Sequence, residues 1–197
     1  MTKQVDPALL LILSDPNSPK STVKTLLTTE QLHHGVVQLG REINETYGDR
    51  PLTIIGVLTG SVVVLADLIR LLEMPLRVGV VQASSYRGTI RGDLVINSEL
   101  MPDIRGRDVL LVDDIVDTGR TLGEVIAQMQ ALGPTSLRSA VLLRKKERQE
   151  VTMDPDFVVF DIPDEFVVGY GLDYNDAYRN LPYLATLEPD DLTDDFA

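Results

Sequence analysis

The chain has 197 residues, 44% hydrophobic and 24% charged, a composition that suits one globular domain with a sizeable core. Its net charge of −12 disfavours nonspecific binding to nucleic acid or to anionic membranes. There is no apolar run of the roughly 18 residues a membrane span needs, no secretory start and no cysteine. This argues against membrane spans, disulfides, thiolate metal sites and cysteine nucleophiles, and a cytoplasmic location is expected.

Residues 1–21 contain Pro7, Pro16 and Pro19 around the apolar block Leu9 to Leu13, and read as an extension to the domain. Val23 to Leu27 reads as an edge strand. Thr29 then opens a helix to about Tyr47 through Leu32, Val36, Val37, Leu39 and Ile43, with Gly48 as its stop. His33 and His34 are neighbours on this helix, so they point to different faces and make a poor metal pair.

Leu52 to Leu58 is a strong strand, and an apolar helix to about Leu72 follows the turn Thr59, Gly60, Ser61. That turn is either a second anion-binding set of backbone donors or a plain strand-to-helix connection. Leu76 to Ala83 is another strand, after which Ser84 to Asp93 forms a polar loop with two glycines. The loop is either a lid that excludes water or a hairpin connection to Leu94 to Ile96.

The most informative stretch runs from Asp108 to Gly133. Val109 to Val112 is an uninterrupted apolar run, the pattern of a strand buried on both faces of a parallel sheet. Leu122, Val125, Ile126, Met129 and Leu132 repeat at helical spacing until Gly133 and Pro134. Between strand and helix, Asp117, Thr118, Gly119, Arg120 and Thr121 put two hydroxyls, a guanidinium and a run of backbone N–H groups at a helix N-terminus, which is the composition of a phosphate cradle. Asp113 and Asp114 stand at the carboxyl end of the strand, where open α/β sheets bind ligands, and adjacent carboxylates suit sugar hydroxyls or a metal.

These thirteen residues, VLLVDDIVDTGRT, resemble the phosphoribosyl-pyrophosphate (PRPP) motif of type I phosphoribosyltransferases. GVLTGS resembles the pyrophosphate loop of the purine-specific members, with Thr59 where lysine is usual, and Ser85 and Tyr86 match the Ser-Tyr pair of the family's flexible catalytic loop. A lost ammonium removes one charge-assisted contact, commonly worth about 1.5 to 3 kcal/mol.

Ser139 to Leu143 forms a further buried strand that delivers Arg144, Lys145, Lys146 and Arg148 to its carboxyl end. In an acidic chain these cations are well placed to meet an anion or a carbonyl. The short runs Phe157 to Phe160 and Phe166 to Tyr170 follow, and taken alone Phe166 reads as core and Asp173 as a turn acid. The segment FDIPDEFVVGYGLDYNDAYRNLPY, however, resembles the C-terminal hood of hypoxanthine (guanine) phosphoribosyltransferases.

The resemblance spans about Leu52 to Leu187. It implies a type I phosphoribosyltransferase fold: a central, mainly parallel twisted sheet flanked by helices, with a small hood built from N- and C-terminal segments. The expected organisation is one domain over 22–187, with a core over about 50–150, a hood over 151–187 plus an N-terminal part, and an acidic tail over 188–197. The implied reaction moves the 5-phosphoribosyl group from PRPP to hypoxanthine or guanine with Mg2+ as cofactor.

The resemblance also implies roles. Thr118, Gly119, Arg120 and Thr121 would hold the 5′-phosphate, and Asp113 and Asp114 the ribose hydroxyls, directly or through metal. Asp117 would be the general base or acid at purine N7. Thr59, Gly60 and Arg179 would meet pyrophosphate, and Asp173 would help hold magnesium. Lys145 would contact the exocyclic oxygen of a 6-oxopurine, with Phe166 and Val167 against the ring. The expected partners are these small molecules and further copies of the chain, a homodimer or homotetramer, since the helix from Val62 and the Leu9 to Leu13 block are strongly apolar. Rival readings are a regulatory RNA-binding protein on the same fold, a nucleotide sensor, or a xanthine-preferring transferase. There is neither a Walker A motif nor G-x-G-x-x-G, so P-loop hydrolysis and dinucleotide redox chemistry have no support.

Overall fold

The structure, a computed structural model, describes residues 23–87, 90–97, 100–148 and 154–188, with the backbone alone over 84–87 and 90–97. The N-terminal block Leu9 to Leu13, Gln149 and the acidic residues beyond Glu188 lie outside the described residues.

Six strands form the main sheet: β2 (Leu52–Leu58), β3 (Leu76–Arg87), β4 (Ile90–Asn97), β5 (Asp108–Val116), β6 (Ser136–Lys145) and β7 (Phe157–Ile162). Their order is β4-β3-β2-β5-β6-β7, and every neighbouring pair is parallel except β3 with β4. The helices α1 (Thr29–Tyr47), α2 (Val62–Leu68) and α3 (Arg120–Ala131) complete the layers.

The uninterrupted apolar runs have a direct cause in this arrangement. Successive side chains of a strand alternate between faces, so Ile54, Leu110 and Leu142 pack with Leu32, Val36, Leu39 and Ile43 of α1, while Ile55, Leu111 and Val141 pack with Leu122, Val125 and Met129 of α3. Both faces are covered, so the central strands are mostly apolar, and a polar residue such as Thr53 or Ser139 is buried there with a hydrogen-bond partner. Helix α1 begins as expected, with a capping box in which the Thr28 hydroxyl accepts from the Gln31 N–H and the Gln31 side chain accepts from the Thr28 N–H.

Three boundaries differ from the sequence reading. Helix α2 stops at Leu68 instead of about Leu72, because Asn44 of α1 reaches across: its Nδ2 donates to the Leu71 carbonyl at 3.0 Å and its Oδ1 accepts from the Glu73 N–H at 3.1 Å. That side chain takes the Glu73 N–H that would have continued the helix, and it satisfies a Leu71 carbonyl whose partner four residues on would be Pro75, which has no N–H. The region expected as a loop over Ser84 to Asp93 is mostly strand; β3 and β4 form an antiparallel ribbon with Arg87 opposite Ile90 and Tyr86 opposite Arg91, and only Gly88 and Thr89 at its tip are undescribed. Ser85 and Tyr86 therefore belong to β3. Strands β5 and β6 also run past their apolar cores, since ladder pairing continues through Asp113 opposite Val141 and Val116 opposite Arg144.

A second, three-stranded antiparallel sheet has the order β1-β9-β8, made from β1 (Lys24–Leu27), β8 (Phe166–Val168) and β9 (Leu184–Leu187). It joins the two ends of the domain into the hood. The Tyr170 hydroxyl donates to Asp67 of α2 at 2.6 Å, tying the hood to the main body, and burial together with that carboxylate pushes the phenol well above its ordinary range.

Candidate active site

The carboxyl ends of β2, β5 and β6 open together beneath the hood. Two adjoining compartments lie there, a polar cleft of about 340 Å³ and a more apolar one of about 250 Å³, and Asp114, Ile115, Asp117 and Asp173 line both.

The polar cleft is built around the turn between β5 and α3. Gly119 adopts φ 81°, the left-handed conformation that lets the chain swing from strand into helix at once. Thr118 sits at the bend, its hydroxyl 3.5 Å from the Arg120 N–H. Thr118, Gly119 and Thr121 face the cleft, and Arg120, the first residue of α3, is exposed beside it. The Thr59–Gly60 turn forms the opposite wall, entered through a cis peptide between Leu58 and Thr59. A side chain at position 60 would fall inside the Asp114 carboxylate, so only glycine lets turn and acid meet. The Gly60 carbonyl in turn packs against Gly171 of the hood, where a Cβ would collide with it. Three segments distant in sequence thus close on one point.

Asp113 is only 7% exposed. Burial first, and the neighbouring Asp114 charge second, push its carboxyl well above the usual range. Burial raises Asp114 too, opposed by hydrogen bonding to Asp113 and by Arg179. Arg179 is anchored from the hood: it donates to the Gly171 carbonyl at 2.8 Å and pairs with Asp173 at 2.7 Å. Asp173 also accepts from the Asp176 N–H at 2.9 Å, so it is at once the turn acid its composition suggests and a lining residue of both compartments.

The second compartment is framed by Lys145, Arg148, Phe166, Val167 and Leu172. Phe166 on β8 is 41% exposed and edge-on to Tyr174, with ring centroids 5.4 Å apart at 84°. It presents an aromatic face instead of joining the core. Val167, its neighbour on the strand, is buried. Asp117 reaches this compartment with one oxygen 3.4 Å from Arg148, while its other oxygen is buried without a hydrogen-bond partner among the described residues.

The basic run at the end of β6 divides, since alternation turns Arg144 and Lys145 of the strand to opposite sides and Lys146 begins a 3-10 turn. Arg144 pairs with Asp161 and Asp154 at 2.7 and 2.6 Å, and Lys146 with Asp161 at 2.6 Å. Those two cations serve neighbouring acids. Lys145, 5% exposed, points the other way into the site. Sequence reasoning marked Arg148 only as one of the four cations and assigned nothing to Asp164, Leu172 or Tyr174, whose types carry no local signal; they matter through what the fold sets beside them.

Residues 22–175 match the family model described as the phosphoribosyl transferase domain. The chain belongs to the phosphoribosyltransferase family. Among relatives of this phosphoribosyltransferase, it is 43% identical over 170 residues to the hypoxanthine phosphoribosyltransferase of Salmonella typhimurium, spanning 84% of this chain and 95% of that one. It is 40% identical over 179 residues to the hypoxanthine-guanine phosphoribosyltransferase of Mycobacterium avium, spanning 87% and 88%. A crystal structure of a hypoxanthine phosphoribosyltransferase from Staphylococcus aureus superposes with a TM-score of 0.84 at 37% identity, covering 91% of this chain and all of that one. The parallel sheet with its flanking helices is thus the fold of this family.

Proposed function

We propose that this phosphoribosyltransferase is a purine-salvage enzyme that moves the 5-phosphoribosyl group of PRPP onto N9 of hypoxanthine or guanine, giving IMP or GMP and pyrophosphate. One observation carries the reading: a polar cleft with a phosphate turn opens directly into a compartment that offers an aromatic face and a buried lysine, and the two share Asp114 and Asp117. A sugar phosphate on one side and a flat oxo-base on the other would meet there.

In this reading the turn Thr118 to Thr121 holds the 5′-phosphate through backbone donors and the helix N-terminus. Asp113 and Asp114 take the ribose hydroxyls, and Thr59, Gly60 and Arg179 take the pyrophosphate. The base stacks on Phe166 beside Val167, and Lys145 donates to O6. Adenine presents donors at that position, so two donors would oppose each other and leave one unpaired. The N9 lone pair attacks C1′ of the ribose, the bond from C1′ to the pyrophosphate oxygen breaks with its electrons leaving on pyrophosphate, and Asp117 accepts the proton from N7. Ser85 and Tyr86, near the tip of the β3–β4 ribbon, would help exclude water from an oxocarbenium-like state.

The acids fit a magnesium ion. Asp113 and Asp114 offer oxygen donors whose burial favours protonation, reinforced at Asp113 by the charge of Asp114, a bias that a divalent cation would reverse. Among the described residues no three acids or histidines gather into a cage, which suits magnesium held by one or two carboxylates and completed by substrate oxygens. Asp173 would assist from the hood. When bound, the ion neutralises charge on the departing pyrophosphate.

No helix among the described residues is long and apolar enough to cross a membrane, in keeping with the cytoplasmic location we assign. Exposed Val62, Val78 and Leu100 support association into a dimer or tetramer, which light scattering would measure. The decisive experiment supplies PRPP and magnesium with hypoxanthine, guanine, xanthine, adenine or uracil. Nucleotide should form from hypoxanthine and guanine; a preference for adenine or uracil overturns the reading.

A further inference from the structure

A single carboxylate outside the expected set holds the base compartment's two cations. Lys145 is almost wholly buried, and a buried ammonium is tolerated only beside a counter-charge. Asp164 Oδ1 stands 3.5 Å from Lys145 Nζ. The same oxygen is 3.5 Å from Arg148 Nη1, and that same nitrogen is 3.4 Å from Asp117 Oδ2. Asp164 thus faces both cations, and Arg148 stands between Asp164 and the proposed proton acceptor.

The fold puts Asp164 there through register. Lys145 and Ile162 are the last paired residues of β6 and β7. Asp164 lies two positions further on, in a turn where the Glu165 N–H donates to the Pro163 carbonyl at 2.9 Å. Joining the two strands does not require it, because Asp161 already pairs with Arg144 and Lys146 on the other side of the seam.

We propose that Asp164 is a positioning residue for the base half of the site: it holds Lys145 at the height where O6 arrives, and by sharing Arg148 it keeps that guanidinium from closing fully onto Asp117. This rests on the purine reading of the second compartment. A long lysine without its counter-ion samples many rotamers, and each productive encounter then includes the loss of that freedom. Arg148 released from Asp164 would settle on Asp117 and obstruct the approach of N7.

The test compares Asp164→Asn, Asp164→Ser and Asp164→Glu with Asp161→Asn, which removes the same charge from the opposite side of the seam. Hypoxanthine turnover by the unmodified enzyme is measured first, and its absence would refute the purine reading itself. Given turnover, Asp164→Asn and Asp164→Ser should raise KM for hypoxanthine roughly tenfold while KM for PRPP stays within about twofold. Asp164→Glu should recover most of the loss, and Asp161→Asn should leave both constants near their original values. The inference falls if hypoxanthine KM does not move, if PRPP KM rises in parallel, or if Asp161→Asn does the same. Serine is included because it suits a turn without carrying charge; should neither neutral variant fold, Asp164 is a structural residue and the inference is equally refuted.

Discussion

The two compartments of the site are neighbours but are made differently. Most of the polar cleft comes from one continuous run, Asp113 to Leu122, with Val57 to Gly60 opposite. The base compartment draws on four separate segments, around Ile115, Lys145, Phe166 and Leu172. A phosphate is small and is gripped by the backbone of a single turn, so its site can be written locally. A purine is a plate that needs a face, an edge contact and a floor several ångströms apart, and only distant segments can supply those together. Substitutions in the two halves should therefore separate in kinetics.

The largest effect is expected at the seam the halves share. Asp117→Asn keeps the shape of the side chain and removes its basicity, so turnover should fall by about 10² to 10⁴ with KM for PRPP little changed; unchanged turnover would take Asp117 out of the mechanism. Next comes Gly60→Ala, whose Cβ would displace the Asp114 carboxylate. Misplacement on that scale is worth up to roughly 10² in rate, and it should appear mainly as weaker PRPP binding by calorimetry. An equal loss of base affinity would show the halves to be less separable than drawn here. Phe166→Ala should act on the other half alone, raising KM for hypoxanthine by about 5- to 150-fold, since stacking on an aromatic face contributes roughly 1 to 3 kcal/mol.

The smallest expected effect concerns stability without ligand. The Asp113 carboxyl is raised in the folded state, so its contribution is most favourable below the ordinary carboxylate range and is lost as pH rises through the raised value. Above the ordinary carboxylate range, the folded protein's preference for the protonated form opposes folding. Asp113→Asn should then raise Tm of the ligand-free protein by about 2 to 8 °C at pH 7 to 8, with the gain shrinking toward pH 4, even though PRPP binding is damaged. A lower Tm at neutral pH would mean that the carboxylate is compensated in the fold.

Legibility followed the same division. Helix α1, strand β2 and the β5–α3 turn were readable because apolar period, capping residues and glycine position all act over a few residues. The far end of α2 was not, because Asn44 ends it from another helix. The polar stretch where β3 and β4 meet looked like loop because its letters carry no apolar period, whereas the strands extend there by cross-strand pairing. Phe166 and Asp173 carried no local sign of a site; without the family resemblance, the same letters describe a core aromatic and a turn acid. Lys145 was singled out, but only the strand's alternation and the 3-10 turn that follows it separate it from Arg144 and Lys146, whose charges Asp154 and Asp161 absorb.

By itself the sequence determined a parallel sheet with a tight, glycine-bearing strand-to-helix turn at its centre, since backbone conformation and helix start are local properties that a dozen residues specify. Tertiary structure alone decided what stands opposite that turn: that Gly60 admits Asp114, that Gly171 and Arg179 close over it from the hood, and that Asp164 reaches Lys145. Those contacts join residues far apart along the chain, and burial and charge act on distances in space, which the order of the letters does not contain.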